Sequence, residues 1–234
     1  MAIGLLAAGL FATAPGESWR LPDRWNPWSP LDVGAAPNLL TPMKLSRASD
    51  DAPRCVAALA TSGWRFESLP DTRPAPGCGL AGAVRTRPRL AAESPALGPP
   101  LVLSCPAALS LALWLRHAVA PAAERRFSAL PVRLEHFGTY ACRDVGGRPG
   151  HRSEHATADA IDVSGFVLEG GRRITVAAAG RGGDGRASGD ADAAFLREVH
   201  EGACRYFNGV LGPDYNRAHA DHFHLDRGPY RVCR

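Results

Sequence analysis

The stretch HADHFHLD, His219 to Asp226, constrains the fold more than any other part of the 234-residue chain. Taken as a strand, its two-residue period sends His222, His224 and Asp226 to one face and Phe223 and Leu225 to the other. Burying the apolar face therefore points two imidazoles and a carboxylate into one shared space. A second alternation lies upstream in SEHATADAIDVSGFVL, where Ala160, Asp162 and Ser164 share one face and Ile161 and Val163 the other. His155 precedes Asp162 closely enough for a turn to bring both side chains to one point.

Two imidazole nitrogens and one carboxylate oxygen, with a fourth position left for water, match the donor set of a catalytic zinc site; structural zinc sites close with four protein ligands, mostly cysteines. An open site of that kind polarises a carbonyl and brings the pKa of bound water toward neutrality, which points to hydrolysis of an amide or ester. Six cysteines stand at 55, 78, 105, 142, 204 and 233 with no C-x-x-C pair. Disulfides, in any of 15 pairings, are expected over thiolate-bound metal, and they place the protein outside the cytosol. The net charge of +4 is spread without a basic stripe and interleaved aromatics, which excludes a nucleic-acid partner.

Forty-five per cent apolar content fits one globular domain, and 25 Gly with 20 Pro imply long connections. Residues 1–15, MAIGLLAAGLFATAP, carry an apolar run too short to span a bilayer, similar to the core of an export signal. No basic residue precedes the run and Pro15 follows Ala12-Thr13-Ala14, so a membrane anchor is the alternative. Residues 16–54 are rich in Pro and Trp without helical or strand period, as in an extended arm anchored by its tryptophans. The remainder, 55–234, is the site-bearing domain.

Within it, a short helix is expected near 52–63, ended by Gly63, and mostly loop with one strand over 70–100. CPAALSLALWLRHAVAPAAERRF, 105–127, is the longest helical pattern, kinked or divided at Pro121. LPVRLEHFGTYACR reads as a strand running into a glycine turn. DADAAFLREVHEGACRYF, 190–207, is an amphipathic helix capped by Asp190 or Asp192, burying Phe195, Val199, Ala203 and Phe207. GRGGDGRASGD, 180–190, lacks the Lys-Ser/Thr ending of a phosphate loop and reads as a flexible surface loop near the site. His117, His136, His151 and His200 carry no spacing to a partner, and Ser153 and Ser164 have no case as nucleophiles.

SEHATADAID resembles the S-x-H-x-x-G-x-A-x-D signature of the D-Ala-D-Ala metallopeptidase, murein endopeptidase and hedgehog superfamily, and HADHFH its closing H-x-x-H-x-H. Within that group NPWSPL, LSCPAALSLALWL, GTYACR, SEHATADAIDVSGF, FLREVHEGACRYFNGVLGPDYN and HADHFHLD are similar, in order, to the bacterial extensin-like C-terminal domain family. The resemblance covers about residue 25 to the C-terminus. It implies an α+β fold in which a small, mostly antiparallel sheet bears a zinc site and is flanked by helices. It implies His155, Asp162 and His224 as zinc ligands, His222 and His219 as catalytic histidines sharing general-base work, and Arg143 as the holder of a substrate carbonyl or carboxylate. Asp221 or Asp226 could orient a ligating imidazole.

One position departs from the pattern: the signature's glycine is Ala158, which costs about 1 kcal/mol if positive φ is required there. The expected function is zinc-dependent cleavage of peptidoglycan peptides in the cell envelope, by a periplasmic or secreted protein. The alternative from another class is a catalytically inactive zinc-fold module that binds cell-wall polymer.

Overall fold

The computed structural model of the chain describes residues 21–86, 98–177 and 190–234. Its helices are α1 (Thr41–Ser49), α2 (Ala52–Ala60), α3 (Cys105–Trp114), α4 (Ala120–Phe127) and α5 (Asp190–Ala203). Every residue of α3 except Pro106 is buried, because CPAALSLALW is apolar on all sides and such a helix belongs inside. Ser104 caps it by accepting the Ala107 N–H. Its last residue, Trp114, is fully buried, donates its indole N–H to the Val199 carbonyl of α5 at 2.8 Å and packs against Phe166 and Phe207.

The helical run is divided into α3 and α4 just ahead of Pro121. A π-helical turn, Leu115–Val119, widens the backbone just ahead of it and places the proline in the first turn of α4, where its missing N–H has no partner to lose.

The strands are β1 (Phe66–Ser68), β2 (Thr72–Ala75), β3 (Cys78–Leu80), β4 (Ala83–Thr86), β5 (Val102–Ser104), β6 (Pro131–Gly138), β7 (Ala160–Leu168), β8 (Arg173–Thr175), β9 (Gly209–Leu211), β10 (Phe223–Asp226) and β11 (Val232–Cys233). The main sheet runs β11-β9-β10-β7-β6, with β8 also on β7; its pairs are antiparallel except β11 with β9. Beside it lie the three-stranded β1-β4-β5 and the hairpin β2-β3. Ile161, Val163, Phe166 and Leu168 of β7 are buried in the same core as α3 and α5. The inward phase slips by one residue between Val163 and Phe166, where the β6 register shifts between Glu135 and His136.

Several expectations need correction. Residues 41–49 are helical, with Pro42 in the first turn. The described tryptophans of the arm are not its anchors: Trp25 is 44% and Trp28 78% exposed, whereas Leu31 and Val33 are buried. Polar ties also hold the arm, with the Lys44 ammonium donating to the Asp23 carbonyl and His117 bonded to the Val33 carbonyl. Segment 70–100 carries three strands in its described part, because Gly77 and Gly82 at positive φ supply tight turns. Helix α5 ends at Ala203, although Phe207 beyond it is still buried, and Asp192 pairs with Arg172 rather than capping. Residues 1–15, and the 180–190 loop apart from Asp190, lie outside the described residues.

Three disulfides, Cys55–Cys105, Cys78–Cys142 and Cys204–Cys233, use all six cysteines. The second joins β3 to the segment after β6 and closes 64 residues. Replacing Cys78 and Cys142 by Ser is expected to lower unfolding free energy by about 2–4 kcal/mol in denaturant titrations. A loss well below that range would show that the remaining contacts hold this segment unaided.

Candidate metal centre

The site begins with the pairing of two strands. In the antiparallel ladder of β7 and β10, His224 stands directly opposite Asp162, so both side chains leave the sheet on the same face. His155 arrives from a 3-10 turn, Glu154–Thr157, capped by Ser153, whose hydroxyl accepts the His155 N–H at 3.4 Å. Ser153 is thus a cap. Immediately afterwards Ala158 adopts φ 60° and ψ 23°, turning the chain into β7. The position does require left-handed backbone, which the alanine supplies at a strain of about 1 kcal/mol.

Each site imidazole has one nitrogen committed elsewhere. His155 Nδ1–H donates to the Thr139 carbonyl at 2.5 Å, and His224 Nε2–H to the Asp226 carboxylate at 3.1 Å. An acceptor on those atoms fixes the tautomers, so neutral rings turn bare His155 Nε2 and His224 Nδ1 inward. These two nitrogens lie 3.2 Å apart, and Asp162 Oδ1 lies 3.1 Å from the first and 2.9 Å from the second. Three converging donor atoms of this kind can be satisfied by a shared proton or by a metal ion.

The donor set passes a geometric test for zinc. Tetrahedral bonds of roughly 2.0–2.1 Å place ligand atoms about 3.3 Å apart, close to the three separations here. Among the described residues these three are the group whose donor atoms all lie within 4.8 Å of one another. Without metal the same place holds a proton. Burial opposes charge on His224, but hydrogen bonds and charges from Asp162 and Asp226 raise its pKa to about 9. Burial likewise opposes the Asp162 carboxylate, yet His155 and His224 hold it well below the usual range.

The other expected residues gather round this triangle. His222 Nε2 lies 3.5 Å from Asp162 Oδ1, and its Nδ1–H donates to Asp221 at 2.9 Å. His219 donates Nδ1–H to the Asn216 side-chain oxygen at 2.7 Å, with its ring 5.2 Å from that of His222 and 5.8 Å from that of His224. Burial, then the charges of His224 and His222, lower the His219 pKa to about 4, so its ring is neutral at pH 7 with Nε2 free to accept. The half-exposed Arg143 places Nη2 3.9 Å from Asp162 Oδ2.

All six residues singled out from sequence are therefore neighbours. Asp226 and Asp221 both orient imidazoles, each a different one. Sequence reasoning missed the Thr139 carbonyl, which has no side-chain signature, and Asn216, three residues before His219. It also missed two glycines that make room for Asp226: a Cβ on Gly209 would overlap its carboxylate, and one on Gly228 would come within 3.0 Å. Phe137 and Tyr215 set their rings edge-on to His222 and His219. Of the four histidines read as ordinary, His117 ties down the arm and His200 packs on Phe223.

Fold and site together define an α+β domain with three disulfides and a His-Asp-His cluster able to hold a metal. The family model described as "Extensin-like protein C-terminus" matches residues 53–234, and the chain belongs to that family. No curated protein and no solved structure matches it.

In metal-free protein the charged His224 stabilises the fold fully below its unfolded pKa of about 6.5, and this contribution disappears as pH rises through about 9. Melting temperatures of chelator-treated protein should fall across that interval, while zinc, taking the proton's place, should flatten the profile; parallel profiles would refute metal binding here. Separately, Ala158→Val should lower stability by about 2 kcal/mol or more, a β-branched residue being strained at positive φ, whereas Ala158→Gly should keep the native melting temperature or better.

Proposed function

We propose that the protein is a zinc-dependent peptidase that hydrolyses peptide bonds of peptidoglycan in the cell envelope. The observation that carries this reading is the triangle of His155 Nε2, Asp162 Oδ1 and His224 Nδ1, bordered by two further histidines and a cation that do not belong to it. Purely structural sites use four protein ligands, mostly cysteines, and all six cysteines here are in disulfides. Nitrogen and oxygen donors of this kind suit zinc, which when bound acts as a Lewis acid and makes water a competent nucleophile near neutral pH.

The chain's own groups supply the rest. His219, neutral and with Nε2 free, accepts the proton of the attacking water. His222, held by Asp221 and with its ring 5.2 Å from that of His219, is placed to take that proton on and deliver it from Nε2 to the departing amine, leaving both rings neutral again. Arg143 offers a guanidinium to the carbonyl oxygen as it gains negative charge, or to a neighbouring substrate carboxylate. Peptidoglycan as substrate rests on the resemblance of SEHATADAID and HADHFH to wall-cleaving metallopeptidases. The three disulfides are consistent with an envelope location. Among the described residues no helix is long and apolar enough to cross a membrane.

Protein purified without a metal-affinity tag should carry about one zinc per chain by elemental mass spectrometry and release new fragments from purified peptidoglycan. His224→Ala should lose both metal and release. His222→Ala and His219→Ala should keep the metal while kcat drops by about 10²–10⁴, the usual worth of general acid-base catalysis. Zinc without release would replace this reading by that of a wall-binding module without turnover, and absence of zinc would overturn both.

A further inference from the structure

The first described segment presents an apolar surface that the core does not use. Among the described residues eleven large hydrophobics are exposed, and five of them, Leu21, Trp25, Trp28, Leu39 and Met43, fall within residues 21–43. Leu39 is 92% and Trp28 78% exposed, values at which a side chain contributes almost nothing to the fold.

Trp25, Trp28, Leu39 and Met43 lie on segments tied to one another. Met43 and Arg47 are four residues apart on α1 and share a face, and Leu39 stands two residues before the helix begins at Thr41. Trp28 joins that face, since the Arg47 guanidinium lies 4.5 Å from its ring centre and donates to the neighbouring Pro27 carbonyl. Trp25 joins from the other end: the Asn38 amide, next to Leu39, donates to the Arg24 carbonyl, and the Arg24 guanidinium lies over the Trp25 ring at 5.8 Å. The opposite face of α1 buries Leu45 and Ala48 in the core. Helix α1 thus buries its inward face and leaves Met43 outward beside Arg47, with no covering element among the described residues.

Exposed tryptophans paired with arginines and flanked by Leu and Met form the side-chain set that settles at the boundary between lipid headgroups and acyl chains. The groove under Trp28, about 330 Å³, has Leu31 and Ala48 in its wall and Arg47 and Arg54 beside them, so an apolar recess adjoins two cations suited to phosphate headgroups. In sequence the patch follows the apolar run GLLAAGLFA at residues 4–12. We infer that the outer face of residues 21–43 rests on a phospholipid bilayer surface, with Trp25, Trp28, Leu39 and Met43 entering the interface and Arg24 and Arg47 meeting anionic headgroups.

The full chain should co-sediment with vesicles of phosphatidylethanolamine and phosphatidylglycerol. Hydroxyl-radical labelling read by mass spectrometry should then show Trp28 and Met43 protected several-fold, while Tyr230 and Phe137, 81% and 62% exposed, label as in free protein. The triple variant W28S/L39S/M43S should reduce the vesicle-bound fraction about tenfold with its melting temperature and metal content retained, since the three side chains contribute little to the core. Unchanged labelling of Trp28 and Met43 on vesicles would overturn the inference, because residues 4–12 would then suffice for attachment. Undiminished binding of the triple variant, or protection of the patch by peptidoglycan sacculi and not by vesicles, would overturn it as well.

Discussion

The pairing of β10 with β7 is the constraint on which the rest of the structure depends. Cross-strand neighbours on one face have Cβ atoms about 4.5–5.5 Å apart, so setting His224 opposite Asp162 delivers two donor atoms to one point with no loop to position them. A slip of one residue would turn His224 into the core and Leu225 into the site. The register is protected against that slip from the other side of the sheet, where Ile161, Val163, Phe223 and Leu225 are all buried. The hydrophobic core and the polar cluster are therefore opposite faces of a single decision about register.

A buried carboxylate is costly unless its oxygens are paired, and the site contains two, Asp162 and Asp226. Asp226 is satisfied on both oxygens, accepting the Gly228 N–H at 2.7 Å and facing His224 at 3.1 Å. Its fit depends on missing atoms, because β9 and the chain after β10 approach so closely that Gly209 and Gly228 leave no space for a side chain. The parallel strand β11 then pairs with β9, and Cys233 is bonded to Cys204 at the end of α5. The C-terminal residues thereby hold β9 against the strand that carries His224. Distant covalent and packing contacts reach the imidazole through one carboxylate.

The parts of this arrangement legible in the sequence were those with a period or a chemical type. Alternation assigned His222, His224 and Asp162 to shared faces, and the apolar run 105–127 marked the central helix. What stayed hidden was set by partners remote in sequence or by backbone atoms. No residue type announces that the Thr139 carbonyl will fix the tautomer of His155, or that a π turn will absorb Pro121. The three strands between 72 and 86 are only three or four residues long and interrupted by glycines, too short for a period to show. The tryptophans of the arm misled for a different reason: large aromatic rings were equated with burial, whereas Leu31 and Val33 carry that role and Trp25 and Trp28 face outward.

Ala158 shows how strain and site are connected. The left-handed turn lets the chain leave the 3-10 segment of His155 and enter β7 in time for Asp162 to meet it, and the Ala158 carbonyl accepts the Ser104 N–H at the cap of α3. The alanine is fully buried, so its methyl group contributes packing that glycine would not. Apolar burial is worth about 0.8 kcal/mol per methylene, comparable to the cost of holding a non-glycine residue at positive φ. Strain and packing thus nearly cancel at this position, which is how the turn keeps its geometry with an alanine in place. A larger side chain has no such compensation, because the turn is closed by the α3 cap on one side and by His155 on the other.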